Sequence, residues 1–225
     1  MIWPSPNFGE RRGGARPSII VIHYTAMDSC EAARERLCDP AAEVSAHWLI
    51  SRRGEAEALV DEAQRAWHAG AGEWAGITDV NSHSIGIELD NRGNEPFPEL
   101  QMATLETLLR GVMARWNIPP HRVIGHSDMA PGRKSDPGRR FDWQRLARQG
   151  LSVWPKPNPV QGQDPSRLRD FLHSFGYPQD VDDSTLLTAF RLRFSPWAQG
   201  PMTSADLQRA QAVARLALDP SAPSP

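Results

Sequence analysis

Nowhere in the 225 residues is there an apolar run approaching the ~18 residues of a membrane span. The N-terminus, Met1 to Asn7, has neither a basic head nor an apolar core, so nothing there reads as a signal peptide. The expectation is a cytoplasmic protein, periplasmic only if a leader once preceded this sequence. A surplus of one charge is also missing: 25 basic residues face 27 acidic ones, a formal net charge of −2. That balance gives no global electrostatic ground for a nucleic-acid partner. Cysteine is scarce, with only Cys30 and Cys38. They lie eight residues apart in a segment of helical pattern, a rise of about 12 Å, too far for a disulfide within one helix. Two free thiols fit a reducing compartment.

What is present is ordinary globular composition, 40% apolar and 23% charged, which excludes global disorder and collagen-like structure. The length suffices for one large domain, or for one domain with a small companion. The 20 prolines cluster and mark boundaries. The 8 tryptophans offer flat faces suited to a core or to a sugar-and-peptide groove.

Apolar periodicity predicts the elements. Ser18–His23 and Ser84–Leu89 read as buried strands. Residues 28–38 read as a helix with Asp28 as its N-cap. The segments 47–51 and 56–60 flank Arg52-Arg53-Gly54-Glu55 as a hairpin. Residues 98–116 form a helix with Leu100, Leu105, Leu108, Leu109, Val112 and Trp116 at apolar positions. Pro119-Pro120 stops it. Val123–His126 is a short strand opening into a Gly/Pro-rich loop, and 142–149 is a helix. Strands alternating with helices imply an α/β fold, a mixed central β-sheet flanked by helices, over residues 1–153. A Pro-rich linker follows at 154–163. Residues 164–225 hold three helical patterns, near 165–175, 183–194 and 203–217, and form a small C-terminal three-helix module. The tail from Pro220 to Pro225 is expected to fray.

Three places bring metal-competent or acid–base side chains to strand ends and loops. His23 closes an apolar strand, a rigid point suited to a metal ligand, although a single histidine there serves equally well as a structural cap. His126 and Asp136 lie ten residues apart in a loop that Gly and Pro bend sharply, so the loop can return them to one centre. Two histidines, an aspartate and an open fourth position make a catalytic rather than a closed zinc arrangement. Alternation along 84–89 puts Ile85, Ile87 and Leu89 on one face, Gly86 and Glu88 on the other. Glu88 is either solvated or, above a metal cleft, a general base. Trp67 and His68 sit between small residues, where a ligand could approach closely.

Each of these signals is weak alone, but their combination and order are specific. VIHYT, SAHWLI, RAWHAG, SIGIEL and GHSDMAPGRKSDPG together resemble the zinc-dependent N-acetylmuramoyl-L-alanine amidases. The resemblance covers about residues 15–153 and implies the peptidoglycan-recognition-protein-like fold. It implies one zinc ion per chain on His23, His126 and Asp136, with Glu88 as catalytic carboxylate and Lys134 as charge stabiliser. The substrate implied is a peptidoglycan fragment or muropeptide, cut between N-acetylmuramic acid, or its 1,6-anhydro form, and L-Ala. Trp67, His68 and His47 are the candidates for lining the groove. One departure bears on mechanism: several relatives carry a catalytic Tyr where this chain has Ala46, which shifts proton work onto Glu88. Relatives also often carry Tyr at the position of Trp48. The C-terminal helices more loosely resemble a peptidoglycan-binding module. Two other readings stand beside the amidase: a receptor that binds peptidoglycan without cutting it, and a zinc endopeptidase acting within the stem peptide.

Overall fold

Two β-branched runs, residues 19–24 and 84–89, make the centre of the molecule. The computed structural model describes residues 2–156 and 164–218. Most of the expected linker and the tail from Pro220 lie outside them. In chain order the elements are β1 (Phe8–Gly9), β2 (Ile19–Tyr24), α1 (Cys30–Cys38), β3 (Trp48–Ile50), β4 (Ala56–Ala58), β5 (Arg65–Ala66), α2 (Val80–His83), β6 (Ser84–Leu89), α3 (Glu99–Trp116), β7 (Val123–Gly125), α4 (His126–Met129), α5 (Trp143–Arg148), α6 (Leu168–Phe175), α7 (Asp183–Phe194) and α8 (Ser204–Leu218).

The main sheet has the order β4-β3-β6-β2-β7, with β1 and β5 forming a separate antiparallel ribbon. β2 lies parallel to both β6 and β7, β3 runs parallel to β6, and only the edge strand β4 is antiparallel. A central strand buried on both faces must be apolar on both. β2 satisfies this by alternation. Ile20 and Ile22 pack with Ile85, Ile87 and Leu89 against Met102, Leu105, Leu109 and Val112 of α3. Ile19 and Val21 face the opposite way, into a core completed by Leu172, Phe175, Leu186, Phe190 and Phe194. The C-terminal helices therefore share one core with the sheet rather than hanging from it. Among the described residues no helix is long and apolar enough to cross a membrane.

Some local expectations need correction. The cap of α1 is Ser29, in extended conformation, whose hydroxyl accepts from the Ala32 amide at 3.1 Å. Asp28 sits one residue too early and pairs with Arg92. Leu100 is 63% exposed. The buried stripe of α3 runs through 102, 105, 109 and 112, and at 100° per residue position 100 falls off it. His126 opens α4 instead of closing β7. Cys30 and Cys38 are both free thiols.

Candidate metal centre and catalytic cleft

The face of β2 that carries Ile19 and Val21 also carries His23, beyond the end of the core. Its register partner on β6 is Glu88. In parallel strands, partners point to the same side of the sheet, so one ligand candidate and one carboxylate enter the same space from rigid strands. β7 ends at Gly125, and α4 begins directly with His126. A Cβ at Gly125 would stand 2.8 Å from the Pro137 ring. The missing side chain lets the returning loop close on this turn, and the Ser127 amide donates to the Asp136 carbonyl at 2.9 Å.

The result is a tight convergence. His23 Nδ1 lies 2.9 Å from His126 Nδ1 and 2.9 Å from Asp136 Oδ2, and His126 Nδ1 lies 3.0 Å from the same carboxylate oxygen. All three residues are buried. The surrounding hydrogen bonds fix their tautomers. His126 Nε2 meets the Ala69 carbonyl at 2.8 Å, which can only accept, so this nitrogen carries the proton. Ser84 donates its hydroxyl to the Val80 carbonyl at 2.6 Å. Its oxygen is then free to accept from His68 Nε2, 3.1 Å away. That leaves His68 Nδ1 as an acceptor for His23 Nε2–H at 3.0 Å. Both Nδ1 lone pairs and a carboxylate oxygen thus point at one spot with no proton among them. Three acceptors so close repel one another unless a cation lies between them, and the donor set suits a divalent metal. The same three residues form the one group able to hold a metal ion found among the described residues.

Electrostatics agree with this assignment. Burial, reinforced by the nearby His126, pushes the His23 imidazole down to about 4, so it stays neutral as a ligand must. Burial alone would raise Asp136, but the close approach of the His126 and His23 imidazoles holds its carboxyl well below the usual range. Glu88 moves the other way. Burial and the charge of Asp136 push it up to about 8, against the opposing pull of Lys134. Its Oε2 is buried with no hydrogen-bond partner, the state of a carboxylate waiting for a proton or a ligand.

These side chains line a cleft of about 360 Å³, with Tyr24, Trp67, Arg36, Arg133 and Lys134 also on its walls. His68 reaches the cleft floor but is buried, and its polar atoms are used on His23 and Ser84. It orients a ligand instead of greeting a substrate. His47 does not line the cleft. It is fully buried behind His68, accepting from the Gly86 amide at 2.9 Å through Nδ1, with Nε2 near the Gln64 carbonyl. Burial pushes it down to about 3. Its expected role in the groove is therefore corrected to a structural one, because its ring bonds the β6 backbone at Gly86 and packs behind His68.

Several contributors were invisible to sequence reasoning. Asn81 holds the Trp67–Gly70 segment in place, its Oδ1 accepting from the amides of His68 and Ala69. Ser84 anchors His68. Arg133 clamps the carbonyls of Ala69 and Ala71. Gly86 is required for space: a Cβ there would lie 2.4 Å from the His68 ring. A glycine in the middle of an otherwise β-branched strand was the signal available for this last one.

Comparison with known proteins agrees with the geometry. The family model described as N-acetylmuramoyl-L-alanine amidase matches residues 13–139. The N-acetylmuramoyl-L-alanine amidase AmiD of Escherichia coli is 34% identical, across 86% of this chain and 80% of its own length. The structure of AmiD in complex with the substrate anhydro-N-acetylmuramic acid-L-Ala-D-γ-Glu-L-Lys aligns with a TM-score of 0.79 at 32% identity, covering 96% of this chain and 99% of that one. AmpDh3 of Pseudomonas aeruginosa, in complex with an anhydromuramic pentapeptide, aligns at a TM-score of 0.80 and 30% identity, covering 89% and 92%.

Proposed function

The chain belongs to the N-acetylmuramoyl-L-alanine amidase family, and we propose that it uses one zinc ion to hydrolyse the amide joining 1,6-anhydro-N-acetylmuramic acid to the L-Ala of a stem peptide. The observation that carries the reading is the proton-free convergence of His23 Nδ1, His126 Nδ1 and Asp136 Oδ2 in a cleft shared with Glu88, whose Oε2 is buried without a partner. The anhydro form is supported by the muropeptides bound to AmiD and AmpDh3. A receptor that binds without cutting has no use for a buried, proton-ready carboxylate next to a complete ligand set.

Zinc on these three residues would lower the pKa of a water toward ~7 and polarise the scissile carbonyl. The protein's own part begins with Glu88. Its Oε2, buried and without a partner, takes a proton from the attacking water and passes it to the departing L-Ala amine. No tyrosine stands at Ala46 to share that work. Lys134 brings a fixed positive charge to the cleft wall, where negative charge develops on the carbonyl oxygen. Trp67 offers an apolar wall on which a sugar ring or peptide can lie.

A cytoplasmic place of action is supported by the two free thiols, Cys30 and Cys38; cell fractionation tests it. For the activity itself, the purified chain is given a soluble anhydro-muropeptide or intact sacculi, with and without chelator, and both bound metal and released L-Ala-headed peptide are measured. Chelator-sensitive release, faster from the anhydro-muropeptide, is the expected outcome. Stoichiometric zinc without release from either substrate would overturn the reading.

A further inference from the structure

The turn that carries His126 is fastened from beneath by the C-terminal helices. α4 spans only four residues, too short to be stable as an isolated helix. Yet two metal-ligand candidates and the cleft lysine are indexed to it. His126 is its first residue, Asp136 is held through the Ser127 amide, and the Lys134 amide donates to the Ala130 carbonyl at 3.0 Å. What fixes the turn is Asp128, which is fully buried. Its Oδ2 accepts from the Gly125 amide at 2.8 Å and from Arg193 Nη1 at 2.9 Å, and its Oδ1 accepts from the Tyr177 hydroxyl at 2.5 Å.

Both outer partners lie beyond the linker. Arg193, on α7, is 1% exposed, a rare state for an arginine. Its Nη2 donates to the Val123 carbonyl of β7 at 2.9 Å and to Ser152 Oγ at 3.2 Å. Its guanidinium lies over the rings of Trp143 and Phe194. One side chain thus grips the strand before the turn and the carboxylate within it. A helical module evolved only to hold cell wall would have no reason to bury its arginine there.

We infer that Arg193 and Tyr177 are positioning residues for the metal: they hold Asp128, and Asp128 holds the turn that aims His126 and Asp136. The C-terminal helices are then part of the catalytic scaffold. This rests on the metal reading given above. Partners one layer outside the ligands typically change metal affinity by about 10–100-fold. Acting through the turn, Arg193 belongs near the lower end, about 10-fold.

The test uses the full chain, stripped of metal and titrated with zinc against a competing fluorescent chelator. Arg193→Ala and Tyr177→Phe are compared with wild type, and Arg191→Ala serves as control. Arg191 lies on the same helix and is also buried, but its hydrogen bonds go to Asp206 and to the carbonyls of Gly200 and Pro201, all within the C-terminal region. Circular dichroism melts establish that each variant folds. The expected result is zinc affinity about 10-fold weaker in Arg193→Ala, less so in Tyr177→Phe, and unchanged in Arg191→Ala even where its melting temperature falls. Wild-type affinity in folded Arg193→Ala, or an equal loss in Arg191→Ala, would overturn the inference. If Arg193→Ala does not fold, the near-isosteric Tyr177→Phe decides by the same criterion. A wild-type chain that binds no zinc would instead sink the metal reading, and this inference with it.

Discussion

His23 and Glu88 are register partners on the two central parallel strands, β2 and β6. The spacing between a candidate metal ligand and the carboxylate proposed to move protons is thereby set by backbone hydrogen bonding, the least adjustable part of the fold. The loops then supply the remainder: His126, Asp136 and Lys134 all come from the segment after β7. A rigid half and a looped half meet across the cleft, and each can be perturbed separately.

Glu88→Gln removes the proton acceptor but keeps the shape. Turnover should fall by about 10²–10⁴ while zinc content stays at one per chain. Steady-state kinetics beside metal analysis checks this, and near-wild-type turnover would remove Glu88 from the mechanism.

Lys134→Ala should retain zinc and lose about 10²–10³ in kcat, because Lys134 contributes charge at the cleft wall and no metal ligand. Loss of zinc together with activity would mean that the residue supports the metal site instead.

His68 and Gly86 should give a shared phenotype. His68→Ala frees His23 Nε2 from its acceptor, and Gly86→Ala drives a Cβ into the His68 ring. Both are expected to weaken zinc binding by about 10–100-fold. Isothermal titration would show it, and a Gly86→Ala protein with unaltered affinity would mean that His68 has room to move.

In metal-free protein, Glu88 should make a contribution to stability that falls as pH rises, opposite in sign to the buried histidines, whose lowered pKa values favour folding as pH rises toward 6.5. The folded-state pKa of Glu88, about 8, lies above its ordinary value of 4.5, so between those values the folded chain holds more protons than the unfolded one. Unfolding free energy from this group then falls with increasing pH across that window. In chelator, the melting temperature of Glu88→Gln should gain on that of wild type as pH rises from 4.5 to about 8 and exceed it above pH 8. Parallel curves for the two proteins would contradict the buried, protonated state.

Much of this was legible in the chain itself. The bounds of β6 and its two faces follow from simple alternation, and the ligand trio follows from motifs with unusual residue types at rigid points. Lys134, one of two lysines in the sequence, lines the cleft. What could not be read were roles set by distant contacts. His47 and His68 look alike in sequence, near small residues and tryptophan. Only the fold decides that His68 reaches His23 while His47 is sealed behind His68. Arg193 reads as a surface residue of an amphipathic helix until its partner, 65 residues earlier, is known.

The ligand pair His23 and Asp136 is separated by 113 residues, and the arginine that fastens the turn lies 65 residues after Asp128. A ribosome therefore exposes the first ligand long before the last support. Until α7 has emerged, the growing chain holds the pieces of a hydrolase without the frame that aims them. Competence then waits for α7, and a chain cut short after the sheet would carry every proposed catalytic residue yet grip its metal poorly.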